Sequence, residues 1–236
     1  MQPDGIRVFF LEEGAQAATD VAARLADFIH AAQHTLDIAI YDFRLSDPQR
    51  DIITKALAER AAEGVQIRIA YDADKPAEPH AMGVDPAPSG TGSFVQSLGY
   101  PWRRIGGMKL MHNKYLVRDA GTLAGAVWTG SLNFTDDAWT LQENNVLQLA
   151  SANLTALYAE DFAELWDNGT ISHTGDFDTP PVALAYAGQP AGVQVMFSPG
   201  RGQTIDYLIA LRVAQAQRHV RICSMLLNSG ALLSVL

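Results

Sequence analysis

Cysteine is close to absent: the chain has one, Cys223, among 236 residues. A single thiol excludes an intrachain disulfide framework, and its place in the apolar run from Ile222 to Met225 predicts a small buried core residue. Long hydrophobic runs are missing too. No stretch approaches the roughly 18 apolar residues of a membrane span, and the opening Met1-Gln2-Pro3-Asp4-Gly5 has neither the basic nor the apolar part of a signal peptide, so no stable membrane insertion is expected. Positive charge is scarce. With 17 Lys and Arg against 26 Asp and Glu, the net charge is −9 and the pI near 5.0. That balance argues against a general nucleic-acid binder, whose affinity comes from counterions released by many Lys and Arg contacts, although a local basic pocket stays compatible with it. Metal-ligand clusters are also wanting. Asp72 and Asp74 form a carboxylate pair without neighbouring His or Glu, which reads as the solvated start of a loop; no metal and no cofactor are expected.

What is present is an apolar content of 48%, enough for one substantial core. The pattern alternates between strand and helix. Arg7 to Leu11 reads as a strand, and Val21, Leu25, Phe28 and Ile29 recur at helical spacing. Leu36, Ile38 and Ile40 alternate as a second strand ending at Tyr41-Asp42-Phe43. Ser46-Asp47-Pro48 supplies a polar cap and a first-turn proline for a helix through Leu57 that stops at Gly64, and Val65, Ile67 and Ile69 make a third strand. Strands separated by helices predict an α/β fold, a sheet flanked by helices. From Asp72 to Ser93, prolines and glycines replace the pattern, predicting a loop that forms a rim or lid beside the site or else a plain insertion. Tyr115–Val117, Ala126–Trp128 and Val146–Leu149 read as further strands, and Ala152–Trp166 as a helix closed by Gly169.

A connector rich in Gly and Pro follows over 172–192. The opening pattern then repeats: Val193, Val195 and Phe197 as a strand, Ile205, Ile209 and Val213 as a helix, Val220 and Ile222 as a strand. The chain divides into a complete module over 1–171, a linker over 172–192 and the start of a second module over 193–236, with the parent sequence expected to continue past Leu236.

The chemistry sits in Met111-His112-Asn113-Lys114 and the residues after it. Two apart on a segment entering a strand, His112 and Lys114 share one face, and Asn113 takes the other. Asp119 lies past the strand end near the Gly121 turn, where it serves the site or simply fixes the loop. Gly130 ends the neighbouring strand, where it permits close backbone approach, and Ser131 and Asn133 can donate to a phosphoryl oxygen. Glu143 precedes the next strand, placed to orient an imidazole. Tyr41 and Phe43 end a strand on the same edge, either lining a substrate groove or packing the core. Arg103, Arg104 and Lys109 form a basic cluster that steers a phosphate or solvates a loop. His30, His34, His80, His173 and His219 have no such company.

His112, Lys114 and Asp119, then Gly130, Ser131 and Asn133, match in order the His-x-Lys-x4-Asp and Gly-Ser-x-Asn motifs of the phospholipase D superfamily. With Phe134-Thr135, Glu143-Asn144 and the helix Tyr158–Trp166, the chain from Val8 to Trp166 resembles the compact bacterial endonuclease and mitochondrial cardiolipin-hydrolase branches. The resemblance implies a phospholipase-D-like mixed sheet flanked by helices. It implies that His112 attacks phosphorus and becomes a phosphohistidine, that Lys114, Asn133 and Ser131 hold the charge on the non-bridging oxygens, that Glu143 orients His112, and that no metal is required. It further implies a second motif copy, whose histidine protonates the leaving group. Nothing after Trp166 matches it, because His219 is followed by Val220 and Arg221. A homodimer or a second module in the same parent chain would supply the partner. The expected substrate is a phosphodiester, with a phospholipid favoured; an endonuclease acting on DNA or RNA and an inactive fragment or binding module are the alternatives.

Overall fold

The computed structural model describes residues 5–72, 90–224 and 226–236. Its first half follows the predicted order: β1 (Ile6–Leu11), α1 (Ala18–His30), β2 (Thr35–Ile40), a two-residue β3 (Phe43–Arg44), α2 (Gln49–Ala62) and β4 (Gln66–Asp72). Helix α1 buries Val21, Leu25, Phe28 and Ile29 on one stripe, as their spacing requires. The expected cap of α2 is not formed. The Ser46 hydroxyl donates instead to Asp136 Oδ2 at 2.6 Å, and α2 begins after Pro48 without a side-chain cap.

Then come α3 (Thr91–Ser97), β5 (Trp102–Ile105), β6 (Lys114–Arg118), β7 (Ala126–Gly130), β8 (Phe134–Thr135), α4 (Asp136–Thr140), β9 (Asn144–Ala150) and α5 (Ala152–Asn168). Helix α3 takes the end of the expected 72–93 loop; the rest of that loop, 73–89, lies outside the described residues, and so does its role as rim or lid.

Seven strands form one mixed sheet in the order β1-β9-β7-β6-β2-β4-β5. The β2–β4 and β4–β5 pairs are parallel and the others antiparallel. The sheet separates two cores. On one face Leu36, Ile38, Ile40, Leu116 and Trp128 pack with α1 and α2; on the other Tyr115, Val117, Val127 and Leu149 pack with Leu154, Phe162 and Leu165 of α5. A sheet covered on both faces explains why β2 is almost wholly buried, Asp37 included, whose carboxylate pairs with Arg68 at 2.8 and 2.9 Å. Helix α5 opens at Ser151, whose Oγ accepts from Leu154 N at 3.3 Å, and closes at Gly169 in the left-handed region.

Beyond α5 the expected linker contains a hairpin, β10 (Val182–Tyr186) with β11 (Gln189–Val193), followed by α6 (Gly202–Ala214) and α7 (Gly230–Leu233). Of the repeat, the helix forms and the strands do not. Val193 closes the hairpin, while Val195, Phe197, Val220 and Ile222 belong to no strand. Helix α6 exposes Tyr207 and Ile209, and Cys223 is exposed, not buried as expected, since nothing described packs over its run.

Candidate active site

The site is built on the start of β6, where four hydrogen bonds fix the segment before the strand. Met111 N donates to Asp72 Oδ1 at 2.5 Å, Lys114 Nζ to the His112 carbonyl at 3.0 Å, Tyr41 N to the Asn113 carbonyl at 2.9 Å, and Asn113 Nδ2 to Asp161 Oδ2 at 3.2 Å. The faces divide as the strand period predicts. Asn113 and Tyr115 turn together to Asp161 on α5. Lys114 lies opposite them, buried at 8% exposure, with its ammonium 5.1 Å from the centre of the Tyr41 ring.

Electrostatics tune the pair. Burial pushes the Lys114 ammonium down to about 8, more than the attraction of Asp42 and Asp72 restores. His112 keeps an exposed surface, and its ring meets Tyr41 edge-on at 4.7 Å. Desolvation of the ring and then the Lys114 charge hold it below the ordinary histidine value. The result is a neutral imidazole beside a cation at pH 7.

The second motif stands at the end of β7. Gly130 has φ +149°, and a Cβ there would meet the Asn145 carbonyl oxygen at 2.1 Å, so only glycine lets the two backbones approach. Burial of Leu132 and Phe134 anchors the loop, and Phe134 N donates to the Asp42 carbonyl at 3.0 Å, tying it to the residue that faces Lys114. The Ser131 hydroxyl donates to Asn144 Oδ1 at 2.8 Å and accepts from Asn145 N at 3.0 Å. Asn133 is half-buried, with its Oδ1 out of reach of solvent and of any hydrogen-bond partner among the described residues.

Several expected residues are placed differently. Phe43 does not line a groove: at 1% exposure it packs against Phe94 and Phe134, because the chain bends after β2 and the alternation restarts. Asp119 is not brought to His112. It lies at the far end of β6, roughly 16 Å along the strand, where its carboxylate accepts from Gln33, His34 and Thr35 N–H at 2.9, 2.7 and 3.2 Å. Glu143 is exposed at the site's end of the sheet and makes no hydrogen bond to His112; Asn144, next to it, takes the contact with Ser131. Arg103 turns to the end of α5, donating to the Asp167 carbonyl at 3.1 Å, while Lys109 stays exposed beside the site.

Three carboxylates were missed. Asp72 is no solvated loop start but 1% exposed and bound to Met111; Asp42, 8% exposed, accepts from Thr91 Oγ1 at 2.7 Å; Asp161 is 1% exposed on α5. Placement of Asp42 and Asp72 at the ends of apolar strands was the available signal. A cavity of about 570 Å³ opens beside His112 and Lys114, walled by Met108, Leu110, Val195 and Phe197. No group of three or more His, Cys, Asp or Glu able to hold a metal occurs among the described residues.

The family described as "Cardiolipin synthase, PLD-like domain" matches residues 25–166, which take in every motif position above. The chain belongs to the PLD-like family. Mitochondrial cardiolipin hydrolase from Chlamydomonas reinhardtii is 30% identical over 145 residues, 61% of this chain and 57% of that protein. The mouse mitochondrial cardiolipin hydrolase is 27% identical over 145 residues, 61% and 58% of the respective lengths. The chain therefore spans somewhat over half the length of these curated relatives. The crystal structure of a phospholipase D family member, Nuc from Salmonella typhimurium, superposes with a TM-score of 0.50 at 24% identity, covering 69% of this chain and 93% of that one. The PLD-like fold, a large mixed sheet flanked by helices, is thus the one expected from the motif.

Proposed function

We propose that the chain is the nucleophile-bearing module of a phosphodiesterase of the phospholipase D type. The observation that carries this reading is the His112–Lys114 pair, an exposed imidazole held neutral beside a buried ammonium that remains charged at pH 7. A ring nitrogen of His112 attacks phosphorus, the P–O bond to the leaving group breaks, and the leaving oxygen takes a proton from a second histidine. Water, deprotonated by that histidine, then attacks the phosphohistidine, releasing a phosphomonoester and restoring His112. Lys114 and Asn133 stabilise the charge on the non-bridging oxygens. The Ser131 hydroxyl, bonded on both sides, holds the loop that presents Asn133. The second histidine comes from another copy of the motif, in a second chain or in another part of a longer one. Glu143, exposed at the same end of the sheet, is available to orient that incoming histidine.

A phospholipid fits better than a nucleic acid. The cavity beside His112 is walled by Met108, Leu110, Val195 and Phe197, and the net charge of −9 opposes a polyanion. Hydrolysis of labelled cardiolipin and of single-stranded DNA by the protein with its second motif, each against the His112→Ala variant, tests the reading. Lipid turnover that vanishes in the variant is expected. Turnover that survives it removes His112 as nucleophile, and cleavage of DNA alone replaces the lipid reading with an endonuclease.

A further inference from the structure

The reaction scheme leaves one buried carboxylate without a role. Asp161 lies within α5 in the core between helix and sheet, and both donors that reach its Oδ2 come from the nucleophile's own segment: Asn113 Nδ2 at 3.2 Å and Tyr115 Oη at 2.7 Å. Its Oδ1 is buried with no partner among the described residues. A half-satisfied carboxyl in such a core costs stability, and a well-packed apolar residue there would cost less. Asn113 stands between His112 and Lys114, its carbonyl accepts from Tyr41 N, and the Tyr41 ring meets that of His112. The link from Asp161 to the imidazole is therefore three contacts long through Tyr41, and one hydrogen bond plus one peptide long through Asn113 alone.

We propose that Asp161 is a positioning residue for His112: ionised, its carboxylate holds Asn113 and Tyr115 from α5 and so fixes the imidazole in its attacking orientation, and loss of the charge loosens that hold. The inference rests on the phosphodiesterase reading only in calling His112 the nucleophile. The charged and titratable neighbours are few. Tyr158 and Glu164 flank Asp161 on α5, the Glu164 carboxylate already accepting from Gly175 N at 2.6 Å, and the Asp37–Arg68 pair lies on the same sheet face from β2 and β4. Burial pushes Asp161 up to about 7, and the Tyr115 hydrogen bond pulls against it, so the charge changes within the working pH range.

The test is a pH titration of protein carrying 13C at histidine Cε1, with His112 assigned among the six histidines by its loss in His112→Ala. In the wild type the His112 signal should show its own inflection below 6.5, a second near 7 from Asp161 and a third near 8 from Lys114. In Asp161→Asn the second should disappear while the fold and the other histidine signals stay unchanged. In Tyr115→Phe it should move to higher pH, because a hydrogen bond to the ionised form is gone. No inflection near 7 in the wild type, one near 7 that persists in Asp161→Asn, or one that does not move in Tyr115→Phe overturns the proposal. Should Asp161→Asn fail to fold, the wild type and Tyr115→Phe decide. For diester hydrolysis, Asp161→Asn should lower kcat about tenfold or more with KM unchanged. Absence of hydrolysis in the wild type counts against the phosphodiesterase reading and leaves the titration to judge Asp161.

Discussion

The two ends of β6 carry residues of the same motif and use them in opposite ways. At the entry, Lys114 is buried and faces Asp42 and Asp72 as separate charges, while the His112 ring stays exposed with no hydrogen bond among the described residues. At the exit, Asp119 is equally buried, but its carboxylate is saturated by three backbone N–H groups that turn the chain from α1 into β2. A charge kept available serves chemistry; a charge bound to backbone donors serves the fold. On the proposed mechanism the motif divides into a catalytic half and a structural half, separated by the four strand residues Tyr115 to Arg118.

Substitutions at the two ends should separate these halves. His112→Ala should lower diester turnover by at least about 10³-fold with the melting temperature unchanged, since an exposed ring is removed and no buried partner is orphaned. Asp119→Ala should do the reverse. Three part-buried backbone N–H groups lose their acceptor, for about 2 kcal/mol of stability, read as a drop in Tm of roughly 4–8 °C, with turnover per folded molecule preserved. Equal loss of activity in both variants under folding conditions would break the comparison.

A smaller effect sharpens the entry end. The imidazole must be neutral to attack, so turnover should rise as pH passes a value below 6.5, a limb in which the Asp161 ionisation also enters; the ammonium must be charged, so turnover should fall through about 8. Lys114→Arg keeps its charge far above pH 10 and should abolish the alkaline fall while retaining part of the rate. An alkaline limb that persists in this variant assigns it to another group.

Much of this was readable from the sequence, and the failures have physical causes. The strands of alternating or continuous Ile, Val and Leu were legible because the sheet is covered on both faces. Strand β5 was not: Trp102-Arg103-Arg104-Ile105 sits at the sheet edge, where arginines suit an exposed border and erase the apolar signal. Phe43 was left open between groove and core because the chain bends between β2 and β3, which no alternation rule anticipates; the core alternative is the one realised. The His112–Lys114 segment and the Gly130 loop were legible as motif positions, and the roles expected of them came from the resemblance to the phospholipase D superfamily. Asp42, Asp72 and Asp161 were not, because each reaches the segment from a distant part of the chain, Asp42 from 72 residues before Lys114 and Asp161 from 48 residues after Asn113, and a lone carboxylate looks solvated until the fold buries it.

On the proposed mechanism His112 bonds covalently to phosphorus. Acid-free quenching of the protein, assembled with its second motif and reacting with a 32P-labelled diester, followed by peptide mapping, tests it directly. Acid-labile, alkali-stable label is expected on the peptide containing His112, and none in His112→Ala. Label on any other residue, or turnover by wild type through which no protein-bound phosphorus can be trapped while the variant turns over equally well, would contradict it.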